Sequence, residues 1–198
     1  MSEHHNVAEV YADAQLSPGK EHFQRLFAER EGLMEPGEDL IPQASWRLID
    51  PEGQVGMEVA VVSVRGRFIQ VPLAYRPSAL PDTAGLLGEM DHSVLGTRYI
   101  YDARRDPAFR AALAEAVREG RQPASKKDLG TGEIIPPQVE FRVASGLDAG
   151  SAEVAEIKVL PEEPREGMEA QTPGTIVGTW GEGDRRRSAV LVAPGERV

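Results

Sequence analysis

The sequence predicts an α+β domain in which an antiparallel sheet carries a few packed helices. Most of the chain consists of short segments where apolar and polar residues alternate, which is typical of strands with one buried face. Two segments instead space their apolar residues as helices do, and they interrupt the strands at separate points. Strands that follow one another directly favour antiparallel pairing, so helices and sheet are expected to segregate. A length of 198 residues fits a single domain over residues 1–198.

The N-terminal segment predicts a strand followed by a helix. Alternation over residues 7–16 indicates the strand. Ser17 is expected to cap the helix, with Pro18 at its first position and Gly32 ending it. One face of that helix would be apolar, formed by Phe23, Leu26 and Phe27.

Three strands are predicted next, over residues 44–50, 55–64 and 67–75. The middle strand alternates so that Met57, Val59 and Val61 face one way and Ala60, Val62 and Val64 the other. Residues 65–66, Arg-Gly, form a tight reversal because glycine supplies the positive φ that hairpin turns need. Pro72 cannot donate a ladder hydrogen bond, so its strand is expected to be bulged or at an edge there.

The middle of the chain predicts a short helix over residues 83–87, a polar loop that contains His92, and a strand over residues 97–102. A longer helix follows. Asp106 caps it, a proline occupies its first position, and Gly120 ends it. Its apolar stripe consists of Phe109, Ala112, Leu113, Ala116 and Val117.

The C-terminal part predicts strands separated by loops. Residues 121–137 and 161–173 are predicted to be flexible loops, the second because it is acidic and rich in proline. The four predicted strands cover residues 138–144, 154–160, 174–181 and 188–193.

Charge and composition exclude several classes of partner. A net charge of −10 repels phosphate backbones and anionic membranes, so neither nucleic acid nor membrane is an expected partner. The chain has no cysteine and its first residues do not resemble a secretory signal, so a bacterial cytoplasmic location is expected. Lysine occurs at only four positions, so any anion site is expected to use arginine.

Six residues in the segment 75–102 are candidates for binding a small ligand. Arginine and carboxylate side chains can hold a phosphate or sugar hydroxyls, and tyrosine rings can stack on sugar faces. The alternative for each is structural: salt bridges at a strand end, a core aromatic, or a histidine that shapes its loop. Trp46 and Tyr99 could also stack on a sugar, but aromatic residues in strands are more often part of the core, and the position of Trp180 suits either role. The candidates are Tyr75, Arg76, His92, Arg98, Tyr101 and Asp102.

Motifs of catalysis and of metal or cofactor binding are not found in the sequence. His92 follows Asp91, but neighbours in sequence rarely face each other, and no serine has the glycine frame of a nucleophile elbow. The four histidines lack ligand spacing, and the glycines at 130–132 form neither a P-loop nor a dinucleotide fingerprint. We therefore expect no catalytic residue, no metal and no cofactor, and the sequence favours a non-catalytic protein over an enzyme.

Several segments carry a resemblance to a known family. They read GQVGMEVAVV (53–62), GRFIQVPLAYRPSAL (66–80), LLGEMDHSVLGTRYIYDARRDPAF (86–109) and AVREG (116–120). Together they resemble the N-terminal cap domain of actinobacterial maltokinases and the related glucosamine kinases. LSPGK at 16–20, GTIVGTW at 174–180 and SAVLVAP at 188–194 also resemble that cap, so the resemblance spans most of the chain.

The resemblance implies a cystatin-like fold, a curved antiparallel sheet wrapped against a helix. In the full-length kinases the cap precedes a two-lobed catalytic module, which 198 residues cannot contain, so a stand-alone cap lacking the kinase module is expected. The catalytic and maltose-binding residues of those kinases lie outside the cap, and none is carried over.

Three functions remain open from the sequence. The first is a non-catalytic module that binds or regulates a partner, either a kinase or another enzyme of sugar or glucan metabolism, or a second copy of the chain. The second is a protein that binds a sugar or sugar phosphate through the six candidate residues. The third, an enzyme that uses His92, has no accompanying nucleophile or metal.

Overall fold

The computed structural model describes residues 6–144, 155–162 and 172–195. Two α-helices lie in these ranges, α1 (Lys20–Arg30) and α2 (Pro107–Glu119), and neither is long and apolar enough to cross a membrane. Short 3₁₀ turns cover Ala103–Arg105 and Gly183–Arg185. The strands are β1 (Val7–Val10), β2 (Leu16–Ser17), β3 (Ile41–Leu48), β4 (Gly56–Val64), β5 (Arg67–Arg76), β6 (Leu86–His92), β7 (Gly96–Asp102), β8 (Ser125–Asp128), β9 (Ile134–Ile135), β10 (Val139–Val143), β11 (Ala155–Glu162), β12 (Ile176–Trp180) and β13 (Arg187–Pro194).

The described strands form three sheets. The largest has six strands in the order β2-β6-β7-β5-β4-β3, and all its pairs are antiparallel. The second is the antiparallel sheet β10-β12-β13-β11. The third is small, with β1 parallel to β8 and β9 antiparallel to β8. The fold is α+β and mostly antiparallel, as the sequence predicts.

Strand β4 lies at the centre of the core and is buried on both faces. Met57, Val59 and Val61 contact the cluster that contains α2 and the second sheet. The opposite residues, Ala60, Val62 and Val64, contact the cluster built on Phe23 and Phe27 of α1. The predicted division of β4 into two apolar faces is therefore confirmed.

The β4–β5 hairpin has the predicted turn. Arg65 and Gly66 have φ values of 52° and 75°, and Val64 pairs directly with Arg67. The pairing of β5 with β7 begins only at Leu73, so Pro72 lies beside the unpaired part of that edge. The edge position expected for Pro72 is confirmed.

Helix α2 begins and ends as the sequence predicts. The Asp106 carboxylate accepts hydrogen bonds from the backbone N–H groups of Ala108 at 2.8 Å and Phe109 at 3.2 Å. Gly120 ends the helix in the left-handed conformation, with φ of 65°. The predicted apolar stripe is buried in full.

Gln70 links the two larger sheets through buried hydrogen bonds. Its Oε1 accepts from the indole N–H of Trp46 at 3.0 Å. Its Nε2 donates to the carbonyl oxygens of Lys158 and Leu191, each at 2.9 Å. All three hydrogen bonds pair Gln70 with donor or acceptor groups on other strands, so this side chain fixes the position of one sheet on the other.

The N-terminal prediction is wrong in two details. The strand predicted over residues 7–16 is two short strands with a turn between them, because β1 pairs with β8 while β2 pairs with β6. Ser17 does not cap α1, because it lies in β2 opposite Asp91. The helix begins at Lys20 after Gly19, and no side chain caps it.

Three further predictions are corrected by the structure. Residues 83–87 form no helix, since β6 already begins at Leu86. His92 ends that strand and does not lie within a loop. The predicted loop 121–137 contains β8 and β9, because Lys126 and Lys127 pair with β1 on one side and with β9 on the other. In the segment 161–173, residues 161–162 belong to β11, and residues 163–171 lie outside the described residues.

Candidate ligand-binding site

A cavity of about 590 Å³ lies between the small sheet and one end of the six-stranded sheet. Strand β1 and Lys126 of β8 line one side of it. The other side is lined by residues of β3, β4, β5 and the β6–β7 hairpin, and Lys20 at the start of α1 completes it. Four cationic and three acidic side chains contribute to the lining: Lys20, Arg47, Arg98 and Lys126, with Glu9, Asp50 and Glu58.

Glu58 is the central acidic group of the cavity. It faces the same side of β4 as Ala60 and Val62, the side that α1 covers, so Lys20 at the start of α1 can reach it. Arg47 pairs with Glu58 across the β3–β4 ladder. The Lys20 Nζ lies 2.5 Å and the Arg47 Nη2 2.6 Å from the same oxygen, Oε2 of Glu58.

Burial and the neighbouring charges determine the protonation of Glu58 and Lys20. Burial opposes the charged form of Glu58, but Arg47 and Lys20 outweigh it and lower the pKa of the carboxyl to about 2. Burial also lowers the pKa of the Lys20 ammonium, and the positive charges of Arg47 and Lys126 act in the same direction, against the attraction of Glu58. The Glu58 side chain, only 12% exposed, is therefore an ionised carboxylate shared by two cations.

Tyr75 lies beside this cluster on β5. The Lys20 ammonium is 5.8 Å from the centre of its ring, a cation–π distance. Its hydroxyl is buried and has no hydrogen-bond partner among the described residues, and the same holds for the Nε of Arg47. Burial raises the pKa of the Tyr75 phenol, so the hydroxyl keeps its proton and can donate it.

His92 and Arg98 line the cavity from the β6–β7 hairpin. The Nδ1 of His92 accepts hydrogen bonds from the backbone N–H groups of Val94 at 3.2 Å and Leu95 at 3.1 Å. Burial lowers the pKa of His92, and the charge of Arg98 adds to this. The neighbouring Asp91 accepts instead from the Thr97 hydroxyl at 3.3 Å. The imidazole thus holds the hairpin turn, and the Asp91 carboxylate does not orient it.

The other three candidate residues lie outside the cavity lining and make structural contacts. The Arg76 guanidinium lies 2.6 Å from the Asp106 carboxylate. The Tyr101 hydroxyl accepts a hydrogen bond from the backbone N–H of Leu80 at 2.9 Å. The Asp102 carboxylate accepts from Arg104, at 2.7 Å for the shortest bond. The structure therefore brings Tyr75, His92 and Arg98 together but not Arg76, Tyr101 and Asp102.

Sequence reasoning missed four residues of this cavity: Lys20, Arg47, Glu58 and Lys126. One signal was present, because two of the only four lysines in the chain now meet at one place. The expectation that an anion site would use arginine stays a prediction. Arg47 and Glu58 are charged residues in two strands that each contain other polar residues, and nothing local indicates that they face each other.

The tryptophans and the glycines considered in the sequence analysis lie in the core or in a turn. Trp46 and Trp180 are buried in the core, at 1% and 4% exposure. The glycines at 130–132 belong to the β8–β9 turn, where Asp128 accepts bonds from the Gly130 N–H and the Thr131 hydroxyl. Within the described ranges no group of three or more His, Asp or Glu side chains is placed to hold a metal ion.

Comparison with known proteins finds a similarity to one family over part of the chain. Residues 24–106 match the model of the maltokinase N-terminal cap domain. The match covers less than half of the chain, from α1 through β7 to Asp106, and the cap-like segments at 16–20 and 174–194 lie outside it. No curated protein and no solved structure matches the chain, so the cystatin-like arrangement stays a prediction. Residues 24–106 are therefore similar to a maltokinase N-terminal cap domain.

Proposed function

We propose that this chain is a non-catalytic cap module that binds or regulates a partner enzyme. The observation that carries the proposal is a set of exposed apolar side chains beside the cavity, which we call the apolar rim. Its four members are 37–60% exposed: Val94, Leu95, Leu129 and Ile134. Exposed apolar side chains beside a cavity favour a surface that another protein covers.

The rim is continuous with the cavity on two sides. Leu95 lines the cavity, and Val94 precedes it in the β6–β7 turn. Ile134 precedes Ile135, another lining residue, and the backbone N–H of Leu129 donates to the carbonyl oxygen of Val10 at 2.8 Å. A partner that covers the rim would therefore also contact residues that line the cavity.

The class of partner follows from the family. The matched model is that of a cap found at the N-terminus of maltokinases. A kinase or another enzyme of sugar or glucan metabolism is the occupant that this relationship favours. The net charge of −10 favours a partner whose facing surface is basic.

A capture experiment with two variants tests this function. The tagged chain, added to a lysate of its source organism, is expected to recover a sugar kinase or glucan enzyme. Leu95→Asp places a charge on the rim and should abolish the capture. Ile41→Asp is the matched control, because Ile41 is 54% exposed and does not line the cavity.

Two results would contradict the proposal: recovery of no enzyme of this class, or equal capture by both variants. A chain that instead forms a homodimer, and loses it with Leu95→Asp alone, would identify a second copy as the occupant. Sedimentation or light scattering of the purified variants distinguishes this case.

A second function, the binding of a small sugar or sugar phosphate, is favoured by the cavity itself. Its volume of about 590 Å³ lies within the range usual for small-molecule sites. Thermal unfolding in the presence of maltose, glucose, glucosamine, trehalose or their phosphates tests it. A ligand at about 100 times its dissociation constant should add roughly 2.7 kcal/mol of stability. A panel without any shift would contradict this second function.

A further inference from the structure

We propose that the cavity is a binding site for a phosphorylated sugar, in which Arg47, Lys20 and Tyr75 bind the phosphate and Glu58 accepts from a sugar hydroxyl. The inference rests on the second function above, small-ligand binding, and assigns its ligand class and its residues. It replaces half of the candidate set expected from the sequence, since Arg76, Tyr101 and Asp102 make other contacts.

The charge of the cavity lining favours an anionic ligand. The chain has a net charge of −10, yet the cavity lining contains four cationic side chains and three carboxylates. One of the carboxylates, Asp50, already accepts three backbone hydrogen bonds, from Glu52, Gln54 and Val55. Glu9 is exposed on β1. The four cations outnumber the three carboxylates, so the lining carries a small net positive charge on an acidic protein, which favours a small anion.

Two polar groups at the cavity are buried and have no hydrogen-bond partner among the described residues. In the described structure neither the Tyr75 hydroxyl nor the Arg47 Nε has a hydrogen-bond partner. An unsatisfied buried donor costs about 1–3 kcal/mol, and a phenylalanine at position 75 would avoid that cost. Two such donors beside one cavity are explained by an acceptor that binds there, and a phosphate oxygen is a suitable acceptor for both.

Glu58 supplies a hydrogen-bond acceptor for the ligand. Lys20 and Arg47 both contact Oε2 of Glu58, and Oε1 makes no hydrogen bond within the described residues. An ionised carboxylate only accepts hydrogen bonds, so Oε1 can pair with a ligand hydroxyl but repels a ligand anion. A molecule that carries both an anion and hydroxyl groups fits this mixed set, whereas a bare anion would leave Oε1 unpaired.

The positive charges around Lys20 also favour a bound phosphate. Burial lowers the pKa of the Lys20 ammonium most, Glu58 opposes this shift, and the cations Arg47 and Lys126 add to it. A bound phosphate would offset that repulsion. Affinity is therefore expected to fall as salt concentration rises, because part of it comes from the attraction between opposite charges.

Isothermal titration with three probes tests the inference: glucose 6-phosphate, glucose and inorganic phosphate. Glucose 6-phosphate is expected to bind most tightly to the wild-type protein. Tyr75→Phe should weaken it by about tenfold or more, because it removes one donor to a charged oxygen. Tyr99→Phe is the matched control, since Tyr99 is half-buried on β7 and does not line the cavity. Circular dichroism of both variants verifies that they fold.

The outcomes separate this inference from the function on which it rests. Equal affinity for glucose and glucose 6-phosphate would overturn the phosphate assignment and leave small-ligand binding intact. Equal affinity for inorganic phosphate and glucose 6-phosphate would overturn the role of Glu58 toward the sugar. An absence of heat with all three probes would overturn the inference, and a flat thermal panel in addition would overturn small-ligand binding.

Discussion

The carboxylate of Glu58 stays ionised in the cavity because two cations share it. This arrangement predicts a specific acid sensitivity. The pKa of Glu58 is lowered from 4.5 to about 2, so its stabilisation is fully present above pH 4.5 and is lost as the pH falls toward 2. A shift of that size corresponds to roughly 3 kcal/mol.

Glu58→Gln should therefore destabilise the protein by roughly 3 kcal/mol at pH 7, because Lys20 and Arg47 lose their partner. It should also flatten the fall in stability between pH 4.5 and pH 2. Urea unfolding at a series of pH values measures both effects. Glu89→Gln, on the exposed face of β6, is the control. Equal acid sensitivity in Glu58→Gln and the wild type would contradict the assignment.

The two tyrosines on neighbouring strands β5 and β7 predict opposite changes in stability. Tyr75 has a buried hydroxyl without a partner among the described residues, and the Tyr101 hydroxyl accepts from the Leu80 N–H. Tyr75→Phe should leave the free energy of unfolding unchanged or raise it, by up to about 1 kcal/mol. Tyr101→Phe should lower it by about 1 kcal/mol, since the Leu80 donor loses its acceptor. Denaturant unfolding without ligand compares them, and a loss with Tyr75→Phe would indicate a structural partner for that hydroxyl.

At the scale of elements, α2 depends on one residue with two functions. Asp106 is fully buried, caps the helix with one carboxylate oxygen and binds Arg76 with the other. Asp106→Asn keeps a capping oxygen but loses the charge, so it should cost less than Asp106→Ala. The alanine variant should lose about 1 kcal/mol for the cap and roughly 3 kcal/mol more for the unpaired Arg76.

Thermal or urea unfolding of the two Asp106 variants checks this order. Asp82→Ala serves as the control, because the Asp82 carboxylate accepts from the Ala84 N–H at an exposed turn. It should change stability by no more than about 0.5 kcal/mol. Equal losses from Asp106→Asn and Asp106→Ala would mean that the ion pair, and not the cap, stabilises this end of α2.

Elements with local signals were predictable from the sequence, and elements with distant partners were not. Helix α2 has its cap and its terminal glycine within its own segment, and β4 alternates because each face meets a different buried layer. The parallel pair β1–β8 joins residues more than 100 positions apart, as Val7 with Ser125, and no periodicity reveals such a partner. The start of α1 was misplaced for a related reason, since Ser17 pairs with the distant Asp91.

The same distinction explains the candidate site. Tyr75, His92 and Arg98 come from the β5 and β6–β7 segments, which carry the densest motifs of the chain. Lys20, Arg47 and Lys126 come from three separate elements, and only the tertiary arrangement brings them to Glu58. Arg76 and Tyr75 are adjacent in β5 and point to opposite faces, which is why the six candidates could not share one site.

At the scale of the whole molecule, Gln70 is expected to stabilise the contact between the two larger sheets. Gln70→Leu would remove three buried hydrogen bonds and leave the Trp46 indole N–H and two carbonyl groups unpaired. We expect a loss of about 3 kcal/mol or more in the free energy of unfolding. Gln43→Leu is the control, because Gln43 is exposed on β3. An equally small change in both variants, measured by urea unfolding, would show that the sheets are held by apolar packing alone.

The central proposal about the candidate site is that a small ligand binds in the cavity and not at the strand end beside Asp102. Amide chemical shifts of the ¹⁵N-labelled protein, titrated with glucose 6-phosphate, test it most directly. The account predicts saturable shifts at Lys20, Arg47, Glu58, Tyr75 and Lys126, which surround the cavity. Shifts centred on Arg76 and Asp102, or no shifts at ligand concentrations up to the millimolar range, would contradict it.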